Sequence, residues 1–196
     1  MVEYPVRSDA EIALARLAAD GIRATIAVDD EGGLNPGFYR DYGVRVVVDA
    51  TDLDDARDSL GIERIEVPRP LAEAIVRHAA WSAPNEACGL VLFDGDRPVF
   101  VASLSNAAAS DHRFTIDPSE HHGVLRFAER SRWRIGGVFH SHPRSRAYPS
   151  RADVEGGADT GWMHFIAGPV TGRHPELRAF WIVEGRVAEV SLSVTA

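Results

Sequence analysis

The sequence has no lysine, a single cysteine and no long hydrophobic run. Because Cys88 cannot form an internal disulfide, nothing in the sequence indicates an oxidising compartment. No apolar stretch approaches the roughly 18 residues of a membrane helix, and the first residues lack the basic start and apolar core of a secretory signal. We therefore expect a soluble, cytoplasmic protein without a membrane partner.

Basic residues are outnumbered, with 21 arginines against 29 acidic residues and a formal net charge of -8. A nucleic-acid-binding protein is expected to carry the opposite balance, so we expect no nucleic-acid partner. Hydrophobic residues make up 45% of the 196 residues, which is enough for one ordinary folded domain or two small ones.

Residues 1–67 are predicted to form a small ferredoxin-like α/β domain. Gly21 and Gly61 each follow a helical pattern and are typical of helix ends. Thr51 is predicted to open the second helix. The remaining predictions are a helix over 9–20, strands over 23–28, 44–48 and 62–67, and a loop containing 32–37.

Pro68 and Pro70 predict a domain boundary, because proline interrupts both helix and sheet. The second domain, residues 69–196, is predicted to be of the α/β (α+β) class, with a mostly antiparallel sheet flanked by helices. Its predicted elements are helices over 70–81 and 118–130, a short helix opened by Ser150, a hairpin around 94–96, and strands over 135–140, 163–167, 179–183 and 187–192.

The stretch from Gly136 to Asp153 carries the strongest chemical signal. His140 and His142 are two residues apart on a predicted strand, so their side chains share one face and can reach one metal ion. Asp153 is a candidate third ligand. Three ligands leave one tetrahedral position open, which is typical of a catalytic zinc site and favours hydrolysis. Mixed His and Asp ligation also suits iron, manganese or cobalt.

Hydrolysis also needs groups that move protons and stabilise negative charge. Glu86 lies between a predicted helix and an apolar strand, and it is the candidate base that takes a proton from bound water and passes it to the leaving amine. Ser150 is a candidate hydrogen-bond donor to the oxyanion. Ser150 and Asp153 equally match a helix capping box, and one hydroxyl can serve both roles.

Other residues allow competing interpretations. Cys88 could act as a nucleophile with His140 as base, although a small thiol before Gly89 on a buried strand usually packs. Five other histidines lack ligand spacing relative to one another and are predicted to be surface or core residues. Two of them, His121 and His122, are candidates for a substrate groove, and the other three are His112, His164 and His174. The tryptophans are predicted to be core residues, with one candidate groove wall, Trp162; the others are Trp81, Trp133 and Trp181.

Glu86, His140-Ser-His142-Pro and Ser150-x-x-Asp153 together resemble the JAMM motif of the MPN-domain metallopeptidases, also called the Mov34/MPN/PAD-1 family. The resemblance covers about Arg69 to the C-terminus. It implies a cytidine-deaminase-like MPN fold and one zinc ion held by the two histidines and the aspartate. It also implies acid/base work by Glu86 and oxyanion support by Ser150.

The same resemblance implies the substrate class. Family members cleave the amide that follows the C-terminal glycine of a ubiquitin-like or sulfur-carrier protein, and bacterial relatives include enzymes that release cysteine from such a carrier. The competing interpretation is a non-catalytic MPN scaffold or sensor whose function lies in the N-terminal domain.

Residues 1–67 more weakly resemble small prokaryotic domains described as signal-transducing, through Ala19 to Ala24 and Val44 to Arg57. The matched residues include no catalytic side chain. The resemblance leaves three roles open for this domain: gating of the cleft, recruitment of the carrier, or formation of a homodimer.

Overall fold

The computed structural model describes residues 2–4, 7–28, 44–156, 161–172 and 175–196. The chain divides into two compact units, Met1–Glu63 and Arg64–Ala196. The predicted loop containing 32–37 and His174 lie outside the described residues. Within the described part of the chain, no helix has the length and apolar character needed to cross a membrane.

The first unit contains three strands and two helices. Its sheet is antiparallel in the order β1-β3-β2. Gly21 and Gly61 lie just after the ends of the two helices, as predicted, and both have positive φ. The elements are β1 (Val2–Tyr4), α1 (Arg7–Ala19), β2 (Ala24–Val28), β3 (Val44–Val48), a 3₁₀ turn (Ala50–Asp52) and α2 (Leu53–Leu60).

The fourth strand expected for a ferredoxin-like domain lies outside this sheet. The strand predicted over 62–67 is β4 (Arg64–Pro68), which pairs in parallel with β10 (Arg186–Thr195) of the second unit. Ile65 and Val67 of β4 are buried in the core of that unit. The boundary therefore lies between Glu63 and Arg64. It does not lie at the prolines, because Pro68 only ends a strand and Pro70 sits in the first turn of a helix, where an N–H is not needed.

The second unit has a seven-stranded sheet in the order β4-β10-β9-β8-β7-β5-β6. Four neighbouring pairs are antiparallel and two, β7-β8 and β10-β4, are parallel, so the predicted mostly antiparallel sheet is confirmed. Its other elements are α3 (Arg69–Ser82), β5 (Cys88–Asp94), β6 (Arg97–Leu104), α4 (Pro118–Ser131), β7 (Arg134–Ser141), α5 (Arg151–Gly156), β8 (Met163–Gly168) and β9 (Glu176–Val183).

Helices α3 and α4 cover opposite faces of this sheet. Val91 of β5 belongs to the cluster packed against α3, whereas Leu90 and Leu92 belong to the cluster packed against α4. Helix α3 buries Ile75 on its inner face and leaves Trp81 87% exposed. The prediction that Trp81 is a core residue is therefore wrong, because it projects from the opposite side of the helix.

Two glycines allow strand β7 to pack closely against neighbouring aromatic side chains. A Cβ on Gly137 would lie 2.8 Å from the ring of Phe165. A Cβ on Gly136 would lie 2.6 Å from the ring of Phe93. Both contacts are too short for any side chain, so the glycines allow β7 to run through the centre of the sheet toward the two histidines at its end.

Candidate metal centre and acid/base site

The three predicted metal ligands converge at the end of β7. The Nε2 atoms of His140 and His142 lie 3.2 Å apart. Asp153, on α5, places Oδ1 3.2 Å from Nε2 of His140 and Oδ2 3.3 Å from Nε2 of His142. The histidine side chains are at most 4% exposed and that of Asp153 is 10% exposed.

These spacings fit a tetrahedral ion. Zinc bonds to histidine nitrogen and carboxylate oxygen of about 2.0 Å place neighbouring ligand atoms about 3.3 Å apart. Two imidazole nitrogens that face each other at 3.2 Å can share only one proton, so a cation satisfies this donor set better than hydrogen bonds alone. His140, His142 and Asp153 are therefore able to hold one divalent metal.

The charges of the site favour a bound cation. Burial alone would raise the pKa of the Asp153 carboxyl, but His140, His142 and the N–H of Ser150 hold that pKa well below its usual range. Burial lowers the pKa of His142, but hydrogen bonds to Asp153 and to the carbonyl of Arg146 outweigh burial and raise it. An ionised carboxylate therefore lies beside the two imidazole rings.

Backbone and aromatic groups orient His142. Its Nδ1–H donates to the carbonyl of Arg146 at 2.9 Å, which leaves Nε2 as the metal-binding atom. The N–H of Tyr148 donates to the same carbonyl. The Tyr148 ring contacts the guanidinium groups of Arg146 and Arg178, and Arg178 forms a bidentate ion pair with Glu189. Sequence reasoning missed this support because it depends on a main-chain carbonyl and on residues far along the chain.

His140 is oriented differently. Its ring stacks on Phe114 with centroids 4.8 Å apart and an interplanar angle of 19°. Its Nδ1 atom is buried and has no hydrogen-bond partner among the described residues. Phe114 therefore fixes the plane of the ring.

Glu86 lies next to the metal ligands, between the end of α3 and the start of β5. Cys88 is paired with His140, and Ala87 and Ser141 exchange hydrogen bonds, so the antiparallel register places Glu86 opposite His142. Its side chain is buried, and Oε2 has no partner among the described residues. Burial raises the pKa of Glu86 to about 7; His142 opposes this rise and Asp153 adds to it.

Ser150 and Asp153 form both hydrogen bonds of the predicted capping box. The Oγ of Ser150 accepts from the Asp153 N–H at 3.2 Å, and Oδ2 of Asp153 accepts from the Ser150 N–H at 2.7 Å. The same Asp153 carboxylate faces the histidines, so capping and ligand geometry coexist. Because Ser150 uses only an oxygen lone pair in the cap, its hydroxyl proton is available for donation.

The geometry opposes a Cys88 nucleophile. The Cys88 side chain is fully buried, and its Sγ lies 3.6 Å from the carbonyl oxygen of Ser105. Burial raises the pKa of the thiol to about 12, with smaller contributions from Glu120 and Glu86. The reactive thiolate is therefore disfavoured at neutral pH.

A cavity of about 310 Å³ lies beside Asp153. Trp162, the predicted groove wall, lines it together with Phe114, Ile116 and the buried His164. Burial lowers the pKa of His164 to about 4, so this ring is neutral at pH 7.

The remaining histidines lie apart from the metal ligands. His121 lies edge-on to Trp162, with ring centroids 5.9 Å apart. The exposed His112 pairs with Asp111. His122 is exposed on α4.

Comparison with known proteins identifies the family. The family described as prokaryotic homologs of the JAB domain matches residues 68–183. The chain belongs to this JAMM/MPN family. Family membership covers the second unit, which carries all five residues of the motif.

Named relatives of this JAMM/MPN protein include peptidases. It is 32% identical over 126 residues to the CysO-cysteine peptidases of Mycobacterium tuberculosis and Mycobacterium bovis, a match that covers 63% of this chain and 86% of each relative. It is 28% identical over 101 residues to the desampylase of Pyrococcus furiosus, covering 52% of this chain and 71% of the relative. A solution structure of a Desulfitobacterium hafniense protein aligns with a TM-score of 0.61 and 30% identity, covering 67% of this chain and 92% of that one.

Proposed function

We propose that this JAMM/MPN protein is a zinc-dependent hydrolase that cleaves the amide bond following the C-terminal glycine of a ubiquitin-like or sulfur-carrier protein. The observation that carries the proposal is the convergence of His140, His142 and Asp153 beside a buried glutamate, one of whose carboxylate oxygens has no hydrogen-bond partner in the described part of the chain. The names of two relatives, CysO-cysteine peptidase and desampylase, support the substrate class.

His140, His142 and Asp153 would hold the metal. Zinc at such a site lowers the pKa of a coordinated water to about 7 and polarises the scissile carbonyl. This donor set of two neutral imidazole nitrogens and one carboxylate leaves a fourth tetrahedral position open, as in catalytic zinc sites.

Glu86 is assigned both proton transfers. Burial raises the pKa of Glu86 to about 7 in the metal-free protein, and a carboxyl that gains and loses a proton near neutral pH suits a group that must first accept and then donate one. The Glu86 carboxylate takes one proton from the attacking water as the new C–O bond forms. It gives that proton to the leaving amine as the C–N bond breaks, which leaves a carboxylic acid on the carrier and a free amine. The second proton of the water then passes from the acid to the amine, so the final products are a carboxylate and an ammonium group.

Ser150 is assigned to the oxyanion. Its hydroxyl proton remains available while its oxygen caps α5, and one such donor contributes about 3 kcal/mol to transition-state stabilisation in comparable sites. The Asp153 carboxylate that completes the cap is the proposed third metal ligand, so helix capping sets the position of both groups.

The cavity beside Asp153 is the proposed entry for the carrier's tail. Residues 113–116 line it. On their other side, Thr115 and Ile116 pair with Ala107 and Asn106. An extended tail could therefore add along this segment by main-chain pairing, and a thin glycine-rich chain would reach the metal where bulkier chains would not.

The experiment compares zinc-loaded wild type with Glu86→Gln on sulfur-carrier proteins that bear either a C-terminal cysteine or an isopeptide-linked protein. Intact-mass spectrometry reads the products. We expect wild type to release carriers that end in glycine, and Glu86→Gln to bind zinc equally but lose turnover. Equal turnover by Glu86→Gln would contradict the assigned mechanism. Stoichiometric zinc without wild-type turnover on either adduct would favour a non-catalytic role.

A further inference from the structure

We propose that Asn106 is a positioning residue for Glu86, and that its side-chain amide acts in place of a strand that is missing at this point of the fold. The inference rests on the proposed role of Glu86. Asn106 lies two residues after Leu104, the last residue of β6.

Glu86 lies two residues before β5 begins, so its main chain lies outside the regular ladder of the sheet. Two contacts from residues 106–110 hold it. The N–H of Glu86 donates to the carbonyl of Ser110 at 2.8 Å. The carbonyl of Glu86 accepts from Nδ2 of Asn106 at 3.0 Å. Asn106 therefore fixes one of the two hydrogen-bonding groups of the Glu86 main chain.

The Asn106 amide also organises the segment that makes these contacts. Its Oδ1 accepts from the N–H groups of Ala108 and Thr115, both at 3.0 Å. Its Nδ2 also donates to the carbonyl of Arg113 at 3.0 Å and lies 3.4 Å from that of Ser110. All neighbours of Nδ2 are carbonyl groups and all neighbours of Oδ1 are N–H groups, so the network sets the orientation of the amide.

These bonds join the two halves of the site. Arg113, whose carbonyl Asn106 holds, precedes the Phe114 ring that stacks on His140. The Asn106 side chain thus holds two main-chain segments. One is Arg113, next to the Phe114 ring that supports His140, and the other is Glu86, the proposed base. A displacement of about 1 Å at a reacting group can lower a rate about 100-fold, so the position of the Glu86 carboxylate matters even though Asn106 does not touch the reacting atoms.

Two substitutions separate the donor half of the amide from the acceptor half. Asn106→Ala removes all the hydrogen bonds of the side-chain amide. Asn106→Asp has the same shape and keeps an oxygen for Ala108 and Thr115, but it presents a second oxygen to the carbonyls of Glu86 and Arg113. We expect both variants to lower kcat about 10- to 100-fold, with KM and zinc affinity within about twofold of wild type.

The test is a double-mutant cycle with Glu86→Gln, measured by single-turnover cleavage of a cysteine-extended carrier. If Asn106 acts through Glu86, Asn106→Asp lowers the rate in the wild-type background and adds no further loss to the slow residual cleavage by Glu86→Gln, which is followed over a longer time at high enzyme concentration. Chelator competition measures zinc affinity in each variant, and thermal unfolding measures stability. Val190→Ala, which removes buried volume from β10, controls for lost stability and should keep wild-type kcat.

A fully additive loss in the Glu86→Gln background would overturn the inference, as would wild-type turnover by Asn106→Asp or a loss confined to zinc affinity. Failure of the proposed function is recognised separately, because it appears as unchanged turnover in Glu86→Gln itself.

Discussion

The burial of Glu86 predicts that removing its charge stabilises the metal-free protein at high pH. Burial raises the pKa of this carboxyl from 4.5 to about 7. The folded chain therefore holds the proton more tightly than the unfolded chain. Proton binding by Glu86 therefore contributes its full stabilisation of the fold below pH 4.5, and this stabilisation is lost as the pH rises through 7. Each pKa unit corresponds to about 1.4 kcal/mol, so ionised Glu86 lowers the free energy of unfolding by about 3 kcal/mol above pH 8.

Glu86→Gln keeps the shape of the side chain and removes the charge. We expect the variant and wild type to be equally stable near pH 4, and the variant to be more stable by about 3 kcal/mol at pH 8.5. The measurement is denaturant unfolding with a chelator present. All four tryptophans lie in the Arg64–Ala196 unit, so their fluorescence follows this unit alone.

Glu73→Gln, on the exposed side of α3, is the matched control, and we expect its stability curve to overlay that of wild type. A difference between Glu86→Gln and wild type that stays constant with pH would refute the reasoning. So would a wild type that is the more stable protein at pH 8.5, because Glu86 would then be stabilised in its ionised form.

Three further predictions concern the other groups of the site. Cys88→Ala should keep wild-type turnover, and folded wild type should resist iodoacetamide at pH 8, because the thiol is buried with a pKa near 12; rapid alkylation would contradict this. Ser150→Ala should cost about 1 kcal/mol of stability through the lost cap and at least 100-fold in kcat, whereas Ser150→Thr should restore both; equal kcat for the two variants would exclude the oxyanion role. Tyr148→Ala keeps the main-chain bond to the Arg146 carbonyl but removes the ring that packs on the Arg146 guanidinium, so it should hold Arg146, and through its carbonyl His142, less firmly and weaken zinc binding 10- to 100-fold in chelator competition; unchanged affinity would assign the Tyr148 ring to packing alone.

The metal ligands could be predicted because their geometry is local. His140 lies on β7 and His142 directly follows it, and Asp153 lies in the first turn of a short helix with a recognisable capping box. Glu86 lies 54 residues before His140; its place between a predicted helix and an apolar strand made it a candidate base, and the complete motif supported that choice. Periodicity could not have placed it beside His142, since strand pairing decides that position.

Other features depend on tertiary pairing that sequence patterns do not specify. The alternation in β4 predicts a strand with one buried face, but it does not say which sheet the strand joins. Trp81 was expected inside because of its residue type, although its phase on α3 places it outside. The sequence did not single out Asn106, because its proposed role depends on carbonyl groups brought together by the fold.

The most direct test of the account is the intact mass of a cysteine-extended sulfur carrier after incubation in ¹⁸O-labelled water with wild type or Glu86→Gln, both brought to one zinc per chain. The account predicts that wild type yields free cysteine and a carrier ending in glycine whose new carboxylate contains one ¹⁸O atom. Glu86→Gln should leave the substrate uncleaved over the same time. A labelled product formed equally fast by both proteins would contradict the central claim that Glu86 moves the protons of this hydrolysis.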